Sequence, residues 1–212
     1  VSLMNAQDFN PTEPPATPLE KLRASQLDTP HKFTLVGVYD FPFGKGKAMG
    51  GGWPKALNAA LGGWQINWNY TYQVGWVIDH PNAKPVRSGS AALPPSERTY
   101  GRWFNTSLWD NPATGRRVAP QEAYTLRDYP ARFEDVRVPA YNNIDASLSK
   151  YFPLYEQIRL QFRFEMVNAF NHPWFSRIAS GANNVSNANF GRLDLVQRNL
   201  PRFIKLALNL SW

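Results

Sequence analysis

Few residues in this 212-residue chain have the type and spacing to do chemistry. Each of its three histidines adjoins a proline: His31 follows Pro30, His80 precedes Pro81 and His172 precedes Pro173. That placement suits turns. No serine stands in a G-x-S-x-G elbow and no histidine pair has zinc-ligand spacing, so neither a nucleophilic triad nor a metal centre is expected. Residues 44–47, reading GKGK, suggest a phosphate cradle but lack the G-x-x-x-x-G-K-[ST] pattern and the helix start that follows it, which leaves a flexible turn. The Asn-rich run 183–189, ending near Asp194, offers oxygen ligands for calcium, yet its spacing fits no EF-hand and its Asn and Gly suit turn geometry. With no cysteine in the chain, disulfides and thiolate metal sites are excluded. The aromatics Trp103, Phe104 and Trp109 could stack on a carbohydrate or peptide, though packing within their own loop is the simpler expectation. No enzyme activity and no cofactor are expected.

The remaining candidates are four charged residues, Asp145, Arg159, Arg163 and Glu165, and their meaning depends on the elements that carry them. In residues 157–166, Arg159, Arg163 and Glu165 share a face with Gln157 and Gln161, while Ile158, Leu160, Phe162, Phe164 and Met166 share the other. Such alternation is the period of a β-strand. In residues 143–152, Asp145 lies with Asn143, Ser147 and Ser149, opposite Ile144, Ala146 and Leu148; Pro153 and its successors are read as a turn, and one allowed register of the resulting hairpin sets Asp145 across from Arg163. The cleanest strand is 64–74: Trp64, Ile66, Trp68, Tyr70, Tyr72 and Val74 on one face, Gln65, Asn67, Asn69, Thr71 and Gln73 on the other. Its length matches the roughly 9 to 11 residues that cross a bilayer when tilted. Two more strands are expected at 32–41, where Val36 and Val38 blur the polar face, and at 203–212, where Ile204, Leu206, Leu208, Leu210 and Trp212 alternate with Phe203, Lys205, Ala207, Asn209 and Ser211. Residues 1–4 read as the tail of an earlier strand.

Alternation alone does not separate a membrane barrel from a soluble sheet with one wet face. Connection length does. Segments 5–30, 77–141 and 172–201 are long, whereas 153–156 and the Gly-rich 44–63, with a helical turn around 56–61, are short. Long and short alternate, as in outer-membrane barrels with long loops outside and short turns in the periplasm. Eighteen Pro and 14 Gly argue against long helices, and aromatics at 14%, eight of them Trp, gather in and beside the strands as interface girdles do. No apolar run reaches the roughly 18 to 20 residues of a membrane helix. The net charge of +7 is scattered over loops and polar faces, with no basic stripe, which argues against nucleic acid. The fold expected is all-β: an antiparallel transmembrane β-barrel, here partial, of about six strands in an open curved sheet, with Trp64, Ile66, Trp68, Tyr70 and Tyr72 toward lipid and Asp145, Arg159, Arg163 and Glu165 toward the lumen. Because the sequence opens at Val1 with no targeting signal, a fragment of a longer protein is expected.

Several stretches, in order, carry a resemblance. TPHKFTLVGVYDFPFGKGK from Thr29, GGWQINWNYTYQVGW from Gly62, RWFNTSLW from Arg102, RLQFRFEMVNAFNHPWF from Arg159, then NFGRL and NLPRFIKLALNLSW together resemble the C-terminal barrel of TonB-dependent transporters of the Oar-like group. The resemblance covers nearly all of residues 1–212. It implies a bacterial outer-membrane barrel, usually of 22 strands, closed by a plug and driven by the TonB complex to take up a scarce nutrient; the plug and the earlier strands are absent from this sequence. It also implies that Leu208, Leu210 and Trp212 form the terminal signal read by the barrel-assembly machinery. Partners then are outer-membrane lipid, the missing plug and strands, TonB, the assembly machinery and a nutrient ligand. Two other readings remain open: a small self-contained pore or adhesin, and a soluble β-sandwich that binds glycan or peptide.

Overall fold

A computed structural model of the chain describes residues 29–122, 129–155 and 158–212. Five strands form one antiparallel sheet: β1 (Lys32–Asp40), β2 (Trp64–Gln73), β5 (Tyr141–Tyr155), β6 (Ile158–Val167) and β7 (Phe203–Ser211). Their order, β1-β2-β5-β6-β7, follows the chain, so each strand pairs with its sequence neighbours in the sheet. A helix, α1 (Lys55–Leu61), lies in the connection between β1 and β2. Two short strands, β3 (Val77–Asp79) and β4 (Arg132–Arg137), pair with each other within the connection between β2 and β5. The incomplete strand expected at residues 1–4 lies outside the described residues.

The chain divides into two compact units. One groups the sheet with its short connections, Lys32–Gln73, Tyr141–Pro173 and Asn199–Trp212; the other groups the two long connections, Val74–Ala140 and Trp174–Arg198. Because neighbouring strands are antiparallel, both long connections leave from the same end of the sheet and both short ones from the opposite end. The expected sorting of loop lengths is therefore present in the four connections between strands of this sheet, while the long segment expected at 5–30 lies almost wholly outside the described residues.

Burial in the sheet unit is inverted relative to a water-soluble protein. In the central strand β5, Ser147 and Ser149 are 7% and 2% exposed while Ile144, Ala146 and Leu148 are only half-buried. On the edge strand β7, Leu206 and Leu208 are 65% and 68% exposed. The register lines these residues into rows. Tyr39, Ile66, Leu148, Phe164 and Leu206 follow one another across all five strands, and so do Gly37, Trp68, Ala146, Met166 and Ile204. Gly37 is required in its row: a Cβ there would run into the Trp68 ring, which approaches the bare backbone of β1. Val36 and Val38 stand on the polar face beside Asn69 and Asn67, exposed on an edge strand.

Two expectations are corrected. Pro153 is not a turn residue, because β5 continues through it to Tyr155, with an irregularity in the pairing between Pro153 and Tyr155. As a consequence Arg163 lies opposite Ser149, not Asp145. The two registers differ by an even number of residues, so both keep polar against polar, and only the position of the turn distinguishes them.

The long connections are more than loops, for among the described residues every buried apolar side chain lies in their unit. Phe104, Trp109, Phe133 and Phe190 pack at ring separations of 5.1 to 6.1 Å, and Trp109 donates its indole N–H to Ala83 O at 2.7 Å. Phe104 and Trp109 are fully buried and frame the 3₁₀ turn Thr106–Trp109, so their part in stacking on a ligand gives way to packing. Burying such a ring stabilises by about 1.5 to 3 kcal/mol, enough for a cluster to hold the unit's irregular backbone.

This core predicts a local effect. Trp109→Ala is expected to cost the loop unit about 3 to 5 kcal/mol, opening residues 74–140 to protease on intact cells, while the sheet retains heat-modifiable migration in gels. Unchanged protease resistance would contradict a common core for the two long connections.

Candidate functional site

The polar face of the sheet is a continuous set of hydrogen-bonding side chains. Gln65 donates from Nε2 to Asp40 Oδ1 at 2.8 Å, and Asn67 donates from Nδ2 to Ser147 Oγ at 3.3 Å. Farther along, Glu165 is shared by two cations, with Arg163 Nε at 2.8 Å and Lys205 Nζ at 3.6 Å. The Arg163 contact is ionic and not an aligned hydrogen bond, since its buried N–H does not point at the carboxylate. Gln161 then links Tyr151 Oη at 2.9 Å to the Asn209 amide at 3.2 Å. The structure thus brings Arg163 and Glu165 together. Arg159 lies in the same face, opposite Ser211, and Asp145 stands apart from all three.

Asp145 belongs to a different constellation, one not visible in the alternation. Its Oδ1 accepts from Asn143 Nδ2 and from the backbone N–H of Asn168, both at 2.9 Å. Asn168, 1% exposed, ends β6 in a left-handed conformation with φ of 49°. Its amide is almost fully used: Nδ2 donates to His172 O at 3.2 Å and Leu200 O at 3.0 Å, and Oδ1 accepts the His172 N–H at 2.9 Å. Asn171, also left-handed with φ of 53°, accepts the Arg202 N–H on its side chain at 3.0 Å. Together these residues pin the exit of β6 to the entry of β7. The signal in the sequence was the pair of Asn in VNAFNHP, the non-glycine residue that best tolerates positive φ.

On the apolar face the register sets Trp64, Ile66, Trp68, Tyr70 and Tyr72 beside Lys150, Leu148, Ala146, Ile144 and Asn142. Asn142 and Lys150 break the alternation, and Lys150 is the buried one. Although 2% exposed and between Trp64 and Phe162 in its row, it donates from Nζ to Ala60 O at 3.2 Å and to Gly62 O, and lies 5.0 Å from the Trp64 ring centroid. The ammonium is satisfied by carbonyls at the end of α1 and by an aromatic face. At the sheet edge, Leu208 and Leu210 lie opposite Phe162 and Leu160, and Trp212 extends beyond β7 almost fully exposed.

In the loop unit, the Asn-rich run forms turns: Asn184 Oδ1 accepts from Ser186 N–H and Asn187 Oδ1 from Asn189 N–H. His80 does not simply occupy a turn. Its ring centroid lies 5.0 Å from those of Tyr129 and Phe133, and its Nδ1 is 3.0 Å from Pro81 O, while the nearby Ser90 hydroxyl donates directly to Asp135 at 2.9 Å. A cleft of about 380 Å³ in this unit is lined by Trp76, Asp79, Ser176, Arg177 and Arg198 among others, with Arg198 held by Asp194 at 3.0 Å. Residues 44–47 form the expected turn, closed by Lys47 N–H to Gly44 O at 3.1 Å.

An antiparallel sheet whose central strand buries Asn143, Ser147 and Ser149 while Leu206, Leu208 and Leu210 stay exposed matches a membrane-spanning wall, and the comparison with protein families decides the matter: a family described as an outer membrane beta barrel domain matches residues 4–205. The chain belongs to that family. No curated protein and no solved structure matches it. As an outer-membrane barrel domain it resides in the bacterial outer membrane and meets lipid through its strands. The barrel domain's five-stranded sheet is open, because β1 pairs only with β2 and β7 only with β6 among the described residues.

The Asn168 constellation generates a test. Asn168→Gly keeps the left-handed backbone accessible but strands His172 O, Leu200 O and His172 N–H, so we expect a loss of about 2 to 3 kcal/mol, read as a lower temperature of heat-modifiable unfolding. A variant as stable as the parent would show that only the backbone conformation matters at this position.

Proposed function

We propose that this barrel domain is a wall segment of a TonB-dependent, Oar-like outer-membrane transporter that takes up a scarce nutrient and performs no bond chemistry. The observation that carries the reading is the open meander. Five strands are too few to close a barrel, which needs about eight even for the smallest common examples, so strands from beyond the described residues must complete the wall. The ordered motifs from Thr29 to Trp212 support a large plugged barrel as the whole. On this reading the sheet end with the long connections is extracellular. Arg159, Arg163 and Glu165 face the lumen or plug, with Arg163, Glu165 and Lys205 paired structurally to limit the cost of isolated charge. Leu208, Leu210 and Trp212 serve the assembly machinery. The cleft at Trp76, Arg177 and Arg198 is where an anionic nutrient would meet guanidinium groups.

Capture of the full-length protein by the periplasmic domain of TonB, paired with conductance in planar bilayers, tests the transporter reading. Retention by TonB with a closed channel is the expected result. Steady conductance without TonB binding would reassign the protein as a passive pore.

The facing assignment makes a separate prediction. Trp68→Arg places a charge toward lipid at a cost of about 2 to 4 kcal/mol near the midplane and should block membrane assembly. Asn67→Arg, on the polar face, should assemble. Equal heat-modifiable migration of both variants would reverse the inside and outside assigned to β2.

A further inference from the structure

The connection between β1 and β2 is short beside the two long connections but is not a bare turn. Within residues 41–63 Asn58 clamps two segments, accepting the Lys45 N–H on Oδ1 at 2.6 Å and the Gly62 N–H on its backbone oxygen at 2.9 Å. Gly44 and Gly62 pack so closely that a Cβ on Gly44 would meet Gly62 Cα at 2.8 Å. Lys150 fixes the end of α1 to the sheet through Ala60 O and Gly62 O. An aromatic ladder leaves β1 and continues into this element, with Tyr39 to Phe41 at 5.6 Å, Phe41 to Phe43 at 6.3 Å and Phe43 to Trp53 at 6.5 Å.

The clamped element covers little of its own apolar surface. α1 buries none of its side chains, and Leu57, Leu61 and Met49 are exposed. Between the element and the apolar face of the sheet runs a groove of about 450 Å³, lined by Phe41, Phe43, Met49, Trp53, Trp64 and Leu148 among others. Trp64 and Leu148 belong to the apolar face itself, so the groove continues the surface by which the barrel domain meets lipid. The same element carries Lys45, Lys47 and Lys55 and no Asp or Glu. Lys47 lies 3.8 Å from the exposed Asp40, whereas no carboxylate among the described residues holds Lys45 or Lys55. An apolar trough in an element whose only charged side chains are lysines is complementary to one kind of occupant, an acyl chain that ends in an anionic headgroup.

We propose that residues 41–63 with Leu148 form a binding site for an anionic phospholipid of the periplasmic leaflet, one acyl chain in the groove and the headgroup phosphate on Lys45 and Lys55. The site rests on the lipid-facing assignment of the apolar face. It gives the short end of the sheet an anchor at the membrane interface, where basic and aromatic side chains are favoured together.

Native mass spectrometry of the full-length detergent-purified protein, titrated with phosphatidylglycerol or with phosphatidylcholine of the same acyl chains, tests the proposal. The parent protein should retain phosphatidylglycerol about tenfold better, and Lys45→Gln with Lys55→Gln should bring that ratio close to one, since each lysine near an anionic headgroup is worth a several-fold gain. Met49→Gln, on an exposed side chain, should weaken retention of both lipids without changing heat-modifiable migration. Equal retention of the two lipids by the parent overturns the site. So does a mass of two chains that Met49→Gln returns to one, which gives the groove to a second copy. If Trp68→Arg still blocks assembly while the parent shows no lipid preference, the inference fails and the facing assignment stands.

Discussion

Backbone hydrogen bonding sets the terms for everything else in this chain. In hydrocarbon an amide has no water to turn to, so a spanning strand is viable only with a partner on each side. The meander β1-β2-β5-β6-β7 meets this demand internally for β2, β5 and β6 by pairing each strand with its sequence neighbours, the arrangement with the least loop-closure cost. Among the described residues it leaves β1 and β7 with one free side each. A free edge is a liability in water and worse in lipid, which is why five strands read as part of a wall and not as a finished one.

Once the ladder is fixed, side-chain chemistry is forced to follow the pleat, and the molecule resolves the conflict between solvent and lipid by dividing its core. The sheet unit buries serines, asparagine and lysine, and its large apolar residues remain uncovered. The connections that leave it cannot rely on lipid and have built an ordinary aqueous core instead, around Phe104, Trp109, Phe133 and Phe190. One chain thus carries two opposite burial rules, separated by the points where strands end. Asn168 stands at such a point: a polar residue buried at the end of β6, it satisfies the His172 N–H just past β6 and Leu200 O in the approach to β7.

The five strands of the large sheet and the loop sorting were legible in the sequence because both depend on short-range signals, the period of two and the spacing between alternating runs, whereas the short β3 and β4 within the connection expected at 77–141 were not. The faces of β2, β6 and β7 follow directly from that period. What the period does not encode is an even shift, and Asp145 against Arg163 was as consistent with it as Ser149 against Arg163. The register turned on Pro153, a residue read as a turn because it cannot donate to a ladder, yet tolerated where the pairing becomes irregular. The loop-unit core was legible only in part. Phe104 and Trp109, five residues apart, were expected to pack within their own loop, but Phe133 and Phe190 lie farther along the chain and follow no helical or strand period with them, so nothing local announces that they join.

Lys150 shows how a single violation of the pattern can mark a built feature. Set in a row with Trp64 and Phe162, a lysine breaks the apolar face and weakens the assignment of β5 when judged by alternation alone. Its stem lies along the apolar row while its ammonium reaches Gly62 O, just past α1, and Ala60 O, which also accepts the Trp64 indole N–H. Two costs cancel each other: the helix end needs donors, and the buried cation needs acceptors. Removing the lysine would take the donor from Gly62 O, and removing the helix end would leave a buried cation short of acceptors, so the lysine and the short helix are one structural unit although nearly ninety residues separate them.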